Sequence, residues 1–142
     1  MKYEKIICSG RSGVYAAPRV IGPLRAAAKR AGVDWFDLDL AGVAERDAFF
    51  RRCAAVFSLP DYFGCNWDAL HECMVDFAGR GVPGAIAHWR RGTELARRAP
   101  EAVTKALEIL EDAAACWSGS GRIFLVVVDR DSAPGRALRP LR

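Results

Sequence analysis

The sequence predicts an α/β fold, a small parallel sheet of three or four strands flanked by helices. Segments whose apolar residues recur every second position alternate with segments whose apolar residues recur every three to four. The run IFLVVV at 123–128 is apolar throughout and rich in β-branched residues, as a strand covered on both faces is. Gly and Pro clusters punctuate the periodic segments. Strands that alternate with helices join through crossovers, and crossovers make the sheet parallel.

Residues 4–8 and the surroundings of Val14 and Tyr15 read as two short strands, interrupted by Gly10 and Gly13. Pro23–Ala31 is rich in helix formers, with Gly32 as its stop. Trp35–Leu40 alternates as WFDLDL, a half-buried strand. Residues 44–58 form a helix with Phe49, Phe50, Cys53, Val56 and Phe57 at three-to-four spacing. Pro60 and Gly64 bracket a turn, and Asn66 stands at the N-cap of a helix reading WDALHECMVDF, which GRGVPG at 79–84 ends. AIAHW at 85–89 is a further strand. Pro100 opens a helix to about Trp117, with Val103, Ala106, Leu107, Leu110 and Ala114 on one face, and SGSG at 118–121 closes it. After the 123–128 strand, DSAPGRALRPLR reads as a mobile basic tail.

A chain of 142 residues, 51% apolar and 27% charged, suits one folded domain with its own core over residues 1–142. The first eighteen residues hold only Ile6, Ile7 and Cys8 as an apolar run, too short for a signal-peptide core. No run reaches the roughly 18 apolar residues of a membrane span, so the expected location is the cytoplasm, with no membrane contact. Five cysteines (8, 53, 65, 73, 116) form an odd set without a CxxC pair. Reduced thiols are expected, and neither a metal nor any cofactor. The net charge of +4 and pI near 9.0 point mildly toward acidic partners. Leu59–Phe77 reverses that sign, with Asp61, Asp68, Glu72 and Asp76 and no Lys or Arg.

On a helix over 67–77, Trp67, Leu70, Cys73, Met74 and Phe77 share one side, while Asp68, His71, Glu72, Val75 and Asp76 share the other. Asp68, Glu72 and Asp76 are spaced i, i+4, i+8, a stripe of like charges that costs a few tenths of a kcal/mol per pair. From spacing alone the stripe reads either as a solvated face, with Asp68 favouring the helix dipole, or as a binding surface. An exposed Val75 among the acids and the upstream Tyr62-Phe63-Gly64 favour an interface.

The segment LPDYFGCNWDALHECMVDF resembles the signature of the barstar family, a Pro-acid-aromatic-aromatic-Gly-x-Asn loop leading into an apolar-Asp-Ala-Leu-x-acid-Cys helix. The match runs through Pro60, Asp61, Tyr62, Phe63, Gly64, Asn66, Trp67, Asp68, Ala69, Leu70, Glu72 and Cys73, and the order of elements from about residue 34 to 129 is also similar. Residues 1–33 would then be an N-terminal extension packed on a barstar-like core, and 130–142 a tail. The resemblance implies an intracellular inhibitor, not an enzyme, that mimics a ribonuclease's polyanionic substrate with carboxylates; the sequence leaves the oligomeric state open, with a monomer favoured. It implies that Asp68 and Glu72 are the inhibitory acids, with Glu72 entering the active site, and that Tyr62, Gly64 and Asn66 form the contacting loop. His71 stands where the family has Trp, Val75 falls on the same rim, and the role of Asp76 follows only from the stripe. Such an interface associates fast and salt-sensitively, and holds through carboxylates bidentate to Arg.

Two other classes compete. A thiol enzyme using His71 and Cys73 fails on angle, since those side chains diverge by about 200° on a helix, which also rules out a zinc site from Cys65, His71 and Cys73; Cys65 with His71 stays geometrically open. His88, on a strand, reads as structural. A nucleic-acid-binding module has the pI and the Arg90-Arg91 and Arg97-Arg98 pairs in its favour. Against it, no reading motif occurs and the basic residues are scattered over several elements, so no direct nucleic-acid contact is expected.

Overall fold

Residues 2–60, 63–76, 83–133 and 137–141 are described by a computed structural model. In chain order they form α1 (Lys2–Cys8), β1 (Gly13–Ala16), α2 (Gly22–Arg30), β2 (Asp34–Asp39), α3 (Arg46–Phe57), α4 (Trp67–Asp76), β3 (Gly84–Arg90), α5 (Thr93–Arg98), α6 (Pro100–Gly119) and β4 (Ile123–Val128). The expected α/β class holds, with four strands, all parallel, in the order β1-β4-β3-β2. The central pair, β3 and β4, is buried along its length except for the terminal Arg90, whereas edge strand β2 exposes Asp34 and Asp37. A strand paired on both sides and covered on both faces has no place for a solvated side chain.

The two-residue period sends alternate side chains to opposite layers. Phe124, Val126 and Val128 of β4, with Ala85, Ala87 and Trp89 of β3, pack against α3, α4, α5 and α6. Ile123, Leu125 and Val127, with Ile86, pack against α1 and α2. The acidic segment and the N-terminal helices therefore lie on opposite faces of the sheet.

Gly32 stops α2 as its composition predicts. At φ +72° it lets Val33 N–H donate to Ala28 O at 2.9 Å and Gly32 N–H to Lys29 O at 3.2 Å, a Schellman closure. Three elements differ from the sequence reading. Residues 4–8 belong to helix α1 and not to a strand: Ile6 and Ile7 are adjacent, yet both are buried against α2, and Arg30 of α2 pairs with Glu4. Helix α5 falls where no element is expected, closed by Arg97 and Arg98 on Glu94, both at 2.7 Å. Residues 137–141 dock rather than trail. Ala16 N–H donates to Arg139 O at 2.7 Å, Pro140 bridges Ala16 in parallel, Leu141 is buried, and Arg139 pairs with Glu111 at 2.9 Å. This segment shields the otherwise open edge of β1. At the opposite edge, Arg52 of α3 donates to the Asp39 carbonyl at the end of β2.

Candidate functional site

Helix α4 starts because Asn66 caps it: its Oδ1 accepts the Ala69 N–H at 2.8 Å, satisfying one of the orphan donors of the first turn. The preceding Cys65 takes φ +51°, turning the loop sharply into the helix. Asn66 Nδ2 also donates to Gly64 O at 3.3 Å, and a Cβ on Gly64 would approach that nitrogen to 3.0 Å, so a side chain there would crowd the cap. Asn66 thus spends its amide on the loop and cap while remaining exposed. Tyr62 and Asp61 lie outside the described residues, as does Phe77.

Leu70 and Met74 are fully buried, and Trp67 packs its half-buried ring edge-on to Phe50 with centroids 4.6 Å apart. At the far end the indole of Trp117 on α6 donates Nε1–H to Met74 O at 3.0 Å, tying the end of α4 to α6. Both ends of α4 are therefore pinned, and its outer face is held in one orientation.

That outer face carries Asp68, Glu72 and Asp76, all exposed. Among the described residues none of the three forms an ion pair or side-chain hydrogen bond. Four arginines of the barstar-like segment are engaged with other acids: Arg97 and Arg98 with Glu94, Arg90 with Asp37 at 2.6 Å, and Arg91 with Asp39 through a bond at 2.9 Å. His71 and Val75 line a shallow depression with Glu72 and Asp76. Val75 departs from its expected exposure: it is half-buried and rests against the core of the α3–α6 layer. Cys73, placed on the buried side by the helical period, is likewise half-buried. Gly64 is exposed beside the helix start.

The competing chemistries can be placed as well. His71 makes no hydrogen bond to Cys65 among the described residues, and no group of three or more His, Cys, Asp and Glu there is arranged to hold a metal ion. Burial pushes the Cys53 thiol well above its ordinary range, which makes it inert. His88 is buried and its Nε2 lies 2.8 Å from Asp129 Oδ1, tying β3 to the end of β4. No helix among the described residues is long and apolar enough to cross a membrane.

The family model described as Barstar (barnase inhibitor) matches residues 33–129. The chain belongs to the barstar family. Among curated proteins no relative matches. The barstar match contains the whole of α4 and its capping loop, together with three of the four strands. It begins after α1, β1 and α2, which complete the sheet and cover its second face. Charge divides along the same boundary. Residues 33–129 hold ten Lys and Arg against fifteen Asp and Glu, whereas residues 1–32 hold seven against one and residues 130–142 four against one. The matched region is therefore acidic, and the positive total comes from the residues outside it. Trp117 is the anchor of α4 that the sequence does not reveal, since its contact with α4 spans 43 positions.

Proposed function

We propose that this barstar-family protein is an intracellular, cytoplasmic inhibitor of a ribonuclease, and that α4 is the element that blocks the enzyme's active site. The observation that carries the reading is the stripe of Asp68, Glu72 and Asp76, exposed and without cationic partners among the described residues, on a helix fixed at both ends. A ribonuclease active site is built to hold phosphates with Lys and Arg, and carboxylates on a rigid helix meet the same donors without offering a bond to cleave. Glu72, at the middle of the stripe, enters deepest, with Asp68 beside it and Asp76 at the lower end. His71 and Val75 form the apolar rim of that contact, and Tyr62, Gly64 and Asn66 extend it along the loop. Preorganisation of the backbone favours the complex, because the capped and anchored helix has little main-chain freedom left to lose on association.

The test is a pull-down with the full chain from its native host, followed by a ribonuclease assay on what co-purifies. A small basic ribonuclease should be retained and inhibited stoichiometrically. Asp68→Ala and Glu72→Ala should each weaken binding by about 2 kcal/mol or more, roughly thirtyfold, while leaving the thermal melt unchanged. Retention of full inhibition by both variants would remove α4 from the mechanism. A drop in Tm for either would make that acid structural.

A further inference from the structure

The sequence scatters its basic residues over several elements, but the fold puts Lys2 and Lys5 on α1, Arg19 just before α2, and Arg25, Lys29 and Arg30 on α2. Helices α1 and α2 pack on the sheet face opposite α4. Lys2, Lys5, Arg19, Arg25 and Lys29 are all exposed there. Glu4, the one acid of residues 1–32, is occupied with Arg30. Among the described residues none of those five cations has an ion-pair partner.

Helix α2 is a ridge between two grooves. Lys2 and Arg30 line the groove toward α1, and Arg25 and Lys29 line the one toward β2. In the second groove the floor includes Val33 and the half-buried Trp35, with the Arg25 guanidinium 5.6 Å from the Trp35 ring centroid, and Asp34 is its one acid. Arg25 and Lys29 are spaced i, i+4, so they present a basic stripe, of opposite sign to the acidic stripe on the far side of the sheet.

We propose that the α1/α2 layer is a docking surface for single-stranded RNA, independent of the α4 surface and going beyond the inhibitor reading. Unpaired Lys and Arg along a groove follow a phosphate backbone, and the planar Arg25 guanidinium over the Trp35 ring gives an unpaired base a surface to stack on. A lipid surface fits less well, because among the described residues a single exposed large apolar side chain, Val20 in the loop before α2, is there for insertion. An A-form duplex would not bring a base face to Trp35.

Anisotropy of a fluorescein-labelled single-stranded RNA of roughly twelve nucleotides, titrated with the full chain, tests this. Saturable binding is expected, with log K falling linearly in log salt between about 50 and 200 mM and a slope of about −0.7 per phosphate engaged. The double variant Arg25→Gln/Lys29→Gln should bind about tenfold or more weakly at the low-salt end and lose about 1.4 from the slope. A second variant, Lys2→Gln/Lys5→Gln, should give a smaller loss in the same direction. Asp68→Ala/Glu72→Ala should bind RNA as the parent does, so failure here and failure of inhibition are separately visible. Absence of RNA binding at low salt, an unchanged slope in both basic variants, capture only by anionic phospholipid vesicles, or self-association sensitive to Arg25→Gln/Lys29→Gln without RNA binding would each overturn the proposal.

Discussion

At the scale of single residues, the acids that matter for binding and the acids that matter for folding separate by their partners. Asp68, Glu72 and Asp76 face solvent, whereas Asp37 and Asp39 of β2 are tied to Arg90 at the end of β3 and to Arg91 just after it. The hydrogen bond from Arg91, helped by the Ala41 N–H and the charge of Arg90, holds the Asp39 carboxyl at about 2, against burial that works the other way. A carboxylate whose folded value lies below its unfolded value stabilises the native state above the unfolded pKa. That stabilisation fades as the pH falls from about 4 toward about 2. Asp39→Asn should therefore lower the stability at neutral pH, by no more than about 1 kcal/mol because both Arg90 and Arg91 remain partly solvated. The gap to the parent should close across that acid window, which thermal melts at several pH values would follow. The stripe on α4 was legible because i, i+4, i+8 is a fixed geometric relation on a helix. The half-burial of Val75 was not, since a helical period gives direction around the axis and not how closely the surrounding core approaches.

At the scale of elements, α4 is only as useful as its anchors. Trp117→Phe removes the donor to Met74 O and leaves a buried carbonyl and a void, a cost of about 2 kcal/mol or more. Asn66→Ala removes the N-cap at about 1 kcal/mol. Urea melts should show both losses, and both variants should bind the target ribonuclease more weakly although every acid of the stripe is intact. Leu70→Ala, which empties the middle of the same helix's buried face, belongs to this class at about 2 to 5 kcal/mol. Asn66 was legible because a cap is a local device, and Trp117 was not because its contact is made by the fold. The same division explains the elements misread in sequence. Ile6-Ile7-Cys8 has the β-branched look of a strand, and only burial against α2 selects the helix. Helix α5 has six residues with one buried side chain, Leu95, too short to display a period. β4, by contrast, is apolar at every position and read correctly from composition alone.

At the scale of the whole molecule, the α/β class followed from alternation, but strand order and the division of labour between the two faces did not. The barstar match begins after the helices that cover the second face of the sheet, and that face is apolar: Ile86, Ile123, Leu125 and Val127 are covered by Ile6, Ile7, Leu24 and Ala28 of α1 and α2. Without those helices, β3 and β4 would present a contiguous apolar strip to water, and β4 would lose its pairing with β1 and become an edge. The added segment therefore completes the core here instead of decorating it. A fragment of residues 33–129 should remain in the monomeric, cooperatively melting state only if the barstar region is self-sufficient. The layering argues the contrary outcome: the fragment should bind an apolar dye strongly, melt without a sharp transition and associate with rising concentration. Restoring residues 1–32 as a separate peptide should reverse the dye binding, because the same side chains would be covered again. Dye fluorescence and sedimentation measured side by side on the fragment, the fragment with peptide and the full chain check it, and a sharply melting, dye-silent fragment would show that the first 32 residues contribute charge rather than core.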